Sequence, residues 1–88
     1  MQRRVHFTLK AINEMGLLGL DATDGCEALT GLEVADFHQV LVSELTAEEM
    51  YVFKPWIGGL PCYIKLILRS RCVIVSFHED EGDHEEAV

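Results

Sequence analysis

Long apolar runs, paired cysteines and glycine-rich phosphate loops are all missing from this 88-residue chain. No segment approaches the roughly 20 apolar residues that cross a bilayer. The N-terminal MQRRVHFTLK carries charge with no apolar stretch behind it, so neither a membrane span nor a secretory signal is indicated and a cytoplasmic protein is expected. The three cysteines, Cys26, Cys62 and Cys72, are odd in number and lack CxxC spacing, which suggests neither a disulfide framework nor a zinc ribbon; they are read as reduced core thiols, a Cys62–Cys72 pairing requiring adjacent strands and favourable geometry. Neither GxGxxG nor GxxxxGK[ST] occurs, which argues against nucleotide-dependent transfer. His6, His38, His78 and His84 form no HxH or HExxH pair, and the glycine broken run HEDEGDH reads as flexible, so no resident metal or other cofactor is expected.

What is present is enough for one small domain. Hydrophobic residues make up 49% of the chain, which supports a packed interior, whereas the length leaves room for a single modest core. The net charge of -8 looks unfavourable for a partner with a phosphate backbone. Its distribution changes that reading. Glu79, Asp80, Glu81, Asp83, Glu85 and Glu86 crowd the C-terminus, and removing those six charges from -8 leaves -2 for residues 1–78. Lys54, Lys65, Arg69 and Arg71 meanwhile lie in a stretch without a single acid. Residues 1–78 are therefore read as one domain, and residues 79–88 as an acidic, extended and solvated tail.

Periodicity predicts helices first and strands second. Residues 8–19 place Leu9, Ile12 and Met15 or Gly16 at helical spacing behind Thr8, a good N-cap. Asp21 caps a second helix that Gly31 stops. LEVADFHQVL, residues 32–41, aligns Val34, Phe37 and Leu41 on a third helical stripe, with His38 one position round from Phe37. After Glu49 the residues turn β-branched and aromatic. MYVFKP, CYIKLILR and CVIVSF read as three strands, joined by WIGGL and by Ser70–Arg71. Links this short impose antiparallel pairing, so the expected class is α+β, with short N-terminal helices packed on a C-terminal antiparallel sheet.

A two-residue turn at Ser70–Arg71 sets Arg69 opposite Cys72, Ile67 opposite Ile74, Lys65 opposite Ser76 and Tyr63 opposite His78. One face then gathers Ile64, Leu66, Leu68, Val73, Val75 and Phe77 as the core side, and the other displays Tyr63, Lys65, Arg69, Ser76 and His78. Alternation turns Tyr51 and Phe53 inward and Lys54 outward, beside Tyr63. An imidazole titrates near neutrality, at about 6.5, and can exchange protons, while fixed cations can hold a phosphate. Together with a phenol these are the parts that metal-independent cleavage of single-stranded RNA requires: proton removal from the 2′-hydroxyl, charge neutralisation at phosphorus and protonation of the departing oxygen. The same pattern also suits a plain stabilising Tyr–His pair on a solvated sheet face. Trp56 serves equally as a core cap or as an exposed aromatic.

The segments GLEVADFHQ, MYVFKP and YIKLILRSRCVIVSFHE, in this order and spacing, resemble the toxins of MqsR-type toxin–antitoxin modules, messenger-RNA interferases with a RelE-like fold; VHFTLKAINEMGLLGLD extends the likeness over residues 5–79. The resemblance implies an RNA endonuclease neutralised by a cognate antitoxin, as a dimer or a toxin–antitoxin hetero-oligomer. It places Tyr63 on the family's catalytic tyrosine, His78 where better-known members have a catalytic lysine, and Lys54 where they have an arginine. Gln39 stands in place of a functional lysine, and Met50 near a functional glutamine. His78, Tyr63 and Lys54 are thus the expected catalytic residues, and Lys65, Arg69, Arg71 and Gln39 the expected RNA contacts. The competing reading is a noncatalytic interaction or regulatory module of the same fold.

Overall fold

A computed structural model describes residues 4–81. Its elements are β1 (Val5–Phe7), α1 (Leu9–Leu17), α2 (Ala22–Thr30), a 3₁₀ turn (Val34–Asp36), β2 (Phe37–Val42), β3 (Glu49–Phe53), β4 (Trp56–Ile57), β5 (Leu60–Leu68) and β6 (Cys72–Glu79). The class is α+β, as the periodicity indicates.

Both helices begin where the capping residues place them. The Thr8 hydroxyl accepts the Ala11 amide at 3.1 Å. Asp21 accepts the Asp24 amide at 2.9 Å while the Asp24 carboxylate takes the Asp21 amide at 3.0 Å, a reciprocal capping box, and Gly31 is the C-cap. The buried face of α1 is rotated from the anticipated stripe: Ala11 and Met15 enter the core, whereas Leu9 is 73% exposed. Gly25 of α2 is required by close packing, since a Cβ there would stand 2.8 Å from Met15 Sδ and 2.9 Å from Phe7 Cζ.

The sheet runs β1-β6-β5-β3-β2, with β4 paired to β5 off this path. Its pairs are antiparallel except β1 with β6, so a short parallel strand is added at one edge. Residues 32–41 are not a third helix. They form the 3₁₀ turn and then β2, which pairs with β3 through a register shift between Phe37 and Gln39. That irregularity breaks the two-residue alternation and leaves Val34, Phe37 and Leu41 at a spacing that mimics a helix. WIGGL is a tight hairpin rather than an open loop. Gly58 and Gly59, at φ of 60° and 83°, turn β4 directly into β5, a conformation that glycine adopts without steric cost.

Between β5 and β6 the pairing Tyr63↔His78 and Lys65↔Ser76 holds as expected, as does the inward packing of Tyr51 and Phe53. Beyond Lys65 a bulge shifts the register, so Leu66 pairs with Ile74, Ile67 with Val73 and Leu68 with Cys72. Ile74 therefore joins Ile64, Leu66, Phe77, Ala11 and Met15 in the main core cluster, Val73 is buried outside that cluster, Val75 is half-buried, and Arg69 falls in the turn. Cys62 and Cys72 lie at opposite ends of this hairpin; Cys62 is buried, Cys72 is half-buried, and Cys26 is exposed instead of being a core thiol.

Helix α1 closes the outer edge of β6 where β1 ends. The Thr8 amide donates to Ile74 O at 3.0 Å, the Thr8 hydroxyl to Val75 O at 3.3 Å, and the Phe77 amide to Glu14 Oε1 at 2.8 Å. Lys10 Nζ donates to Glu14 Oε2 at 2.8 Å and to Ser76 Oγ at 2.9 Å. A sheet edge with unpaired amides invites aggregation, and here α1 satisfies those groups. Burial pushes the Glu14 carboxyl up, but the hydrogen bonds from Lys10 and the Phe77 amide, with the positive charges of Lys10 and His78, outweigh it and hold the group below its ordinary value.

A carboxyl depressed in the folded state stabilises above its unfolded pKa and loses that effect as pH falls through the folded value. Glu14→Gln is therefore expected to lose about 1–2 kcal/mol at pH 7, with the gap to wild type closing towards pH 3. Urea unfolding at both pH values checks this; a deficit independent of pH contradicts it. In native protein a chromogenic disulfide reagent should modify Cys26 promptly and Cys62 last. Burial, then the charges of Glu79 and Asp80, push the Cys62 thiol up and suppress its reactive thiolate.

Candidate functional site

The reactive groups sit on the face of β5 and β6 opposite the α1-covered core. Tyr63 and His78 are direct cross-strand partners, and their rings stack with centroids 4.8 Å apart and planes 8° from parallel. Stacking at this distance holds the two rings against each other. The His78 Nδ1 lies 2.7 Å from Glu79 O. A carbonyl only accepts, so Nδ1 carries the proton in the neutral ring and Nε2 carries the lone pair.

One step along the same face, Gln39, Val52, Lys65 and Ser76 form a continuous cross-strand row over β2, β3, β5 and β6. Gln39 thereby joins the face on which Lys65 stands, although the two are far apart in sequence. Val52 is fully buried within this row and Ser76 is 2% exposed, with Lys10 as donor to its hydroxyl. Lys65 pairs with no carboxylate among the described residues.

Lys54 follows the last residue of β3, and its backbone amide donates to Asp36 O at 2.7 Å. Its ammonium lies 3.7 Å from Asp80 Oδ1, with the two side chains 20% and 18% exposed. Asp80 continues the β5–β6 pairing past Glu79, since its amide donates to Pro61 O at 2.8 Å. Asp80 is two residues beyond His78 and one past the end of β6, and its carboxylate meets Lys54.

The remaining predicted RNA contacts are placed elsewhere. Arg69 lies in the β5–β6 turn, six residues and about 20 Å along the strand from Tyr63. Its guanidinium grips Glu48 at both carboxylate oxygens, Nε to Oε2 at 2.7 Å, and those hydrogen bonds hold the Glu48 carboxyl below its ordinary value. Arg71 is exposed in the same turn, its carbonyl accepting the Arg69 amide at 2.9 Å. Neither arginine converges on the Tyr63–His78 pair.

Sequence reasoning missed Lys10, Glu14 and Asp80. Lys10 and Glu14 carried no chemical pattern, since only the passage of α1 along β6 brings them to Ser76 and Phe77. Asp80 was absorbed into an acidic run. Trp56 is 71% exposed and lines a hollow of about 410 Å³ with Asp24, Glu27 and Asp36, walls unsuited to a phosphate backbone. His6 and His38 are exposed. His84 and the end of HEDEGDH lie outside the described residues, among which no group of three or more His, Cys, Asp or Glu residues could hold a metal ion. No helix among them is long and apolar enough to cross a membrane.

No curated protein matches the chain. A family model described as "Motility quorum-sensing regulator, toxin of MqsA" matches residues 1–79, nearly the whole chain. The match covers the motifs quoted from the sequence, and this chain belongs to the MqsR toxin family of toxin–antitoxin systems.

Proposed function

We propose that the protein is a metal-independent endoribonuclease that cleaves single-stranded RNA and is neutralised by a cognate antitoxin. The observation that carries this reading is the Tyr63–His78 stack, with Nε2 as the basic atom of the neutral ring and Lys65 two residues along β5 from Tyr63. The 2′-oxygen attacks the adjacent phosphorus, the bond from phosphorus to the 5′-oxygen breaks, and the products are a 2′,3′-cyclic phosphate and a 5′-hydroxyl. One proton leaves the 2′-oxygen and one reaches the 5′-oxygen, and His78 handles one of these transfers. Tyr63, held by the stack, orients the ribose through its hydroxyl. Lys65 and Lys54 neutralise charge that develops on the phosphate. Gln39 contacts the backbone farther along the same row.

Arg69 and Arg71, expected from the sequence as further contacts, serve nucleotides distant from the cleavage point in this arrangement. Arg69 must first leave Glu48, so the central cations carry most of the effect.

Cleavage of a defined single-stranded RNA in excess chelator tests the reading. Wild type should generate cyclic phosphate ends, His78→Ala should lose at least about 100-fold in rate, Tyr63→Phe should lose less, and Arg69→Ala should stay within severalfold of wild type. A folded, antitoxin-free wild type that cuts no RNA, or a His78 variant as active as wild type, refutes it.

A further inference from the structure

The reaction proposed above transfers two protons, and His78 accounts for one. An in-line displacement places the entering and leaving oxygens on opposite sides of phosphorus, so the second group must stand apart from the imidazole on the same surface. Asp80 meets that requirement. It lies two residues beyond His78, about 7 Å further along the chain, and the hydrogen bond from its amide to Pro61 O ties it to the sheet. Its Oδ1 atom is buried and has no hydrogen-bond partner among the described residues, although Lys54 Nζ is 3.7 Å away. A buried carboxylate oxygen without a donor is a costly feature for a domain of this size. A substrate hydroxyl would supply the missing donor.

We propose, resting on the endoribonuclease reading, that Asp80 is the general base of the cleavage and that His78 is the general acid. The incoming phosphate draws the Lys54 ammonium towards itself, which uncovers Oδ1 to the ribose. The 2′-hydroxyl proton passes to the Asp80 carboxylate as the bond from the 2′-oxygen to phosphorus forms. The bond from phosphorus to the 5′-oxygen breaks, and the imidazolium of His78 delivers its Nε2 proton to the departing oxygen. Exchange with water then restores the carboxylate and the imidazolium. The pairing of Lys54 with Asp80 thus does two things: it shields the base before RNA arrives and places the phosphate-holding cation next to it. The competing role for the same carboxylate is a substrate mimic that merely repels RNA from Lys54, and that role has the opposite kinetic consequence.

The test compares wild type, Asp80→Asn and Asp80→Glu in two measurements: single-turnover cleavage of a single-stranded RNA, and affinity for a 2′-O-methyl RNA of the same sequence, which lacks the nucleophilic hydroxyl. Asp80→Asn should bind the methylated RNA at least as tightly as wild type, because a negative charge beside Lys54 is gone, yet cleave at least about 100-fold more slowly. Asp80→Glu should recover part of the rate. An Asp80→Asn variant that cuts as fast as wild type or faster overturns the proposal and makes Asp80 a competing anion. Parallel loss of rate and affinity also overturns it and makes Asp80 a structural support for Lys54. If wild type itself neither binds nor cuts RNA, the endoribonuclease reading fails and the assignment of Asp80 falls with it.

Discussion

The bulge in β6 is the constraint on which the rest of this structure depends. Tyr63↔His78 and Lys65↔Ser76 pair in one register, Leu66↔Ile74 in the next, and the extra residue absorbed at Val75 lets both sets coexist. Without it, strict alternation would turn Val73, Val75 and Phe77 inward together. With it, Ile74 and Phe77 both reach the core beneath α1, while Ser76 and His78 remain on the opposite face. A β-bulge re-aims side chains locally at the expense of ladder regularity. Here it reconciles the packing demanded at the turn end of the hairpin with the Tyr63–His78 pairing at the other end.

Helix α1 completes this arrangement. By taking the Phe77 amide on Glu14 and capping the β6 carbonyls through Thr8, it protects the edge that β1 is too short to cover. The hydrogen bonds are to charged or backbone groups and lie in partly buried positions, where they stabilise more than exposed ion pairs such as Arg69–Glu48. The Tyr63 face is thus held by paired strands and flanked by α1, whose Lys10 reaches Ser76. A site built on paired strands is stiffer than one built on loops.

The pairing at the centre of the candidate site was legible in the sequence because strand alternation is a two-residue rule that survives long enough to decide it. YIK and SFH share a turn, and counting outward from Ser70–Arg71 brings Tyr63 to His78 even though the turn length and the bulge shift in compensating ways. What was illegible was irregular or nonlocal. Phe37–Val42 hid behind a bulge that imitates helical spacing, and Val5–Phe7 is too short to carry a pattern. The contact of Asp80 with Lys54 had no sequence signal because the two are twenty-six positions apart (80 − 54) and only the sheet brings them alongside. The acidic C-terminus dominated the charge sum and concealed that its first aspartate is fixed to the sheet.

Family membership identifies a toxin, and the geometry of one sheet face supplies the chemical reading of how it acts. Amide and side-chain NMR shift mapping with a noncleavable single-stranded RNA tests the placement of that chemistry most directly. The account predicts that the largest changes fall on Tyr63, His78, Lys54, Lys65 and Asp80, with the core resonances of Ile64 and Ile74 little moved. Changes concentrated instead on the β2 edge or around Trp56, with the Tyr63–His78 pair silent, would contradict it.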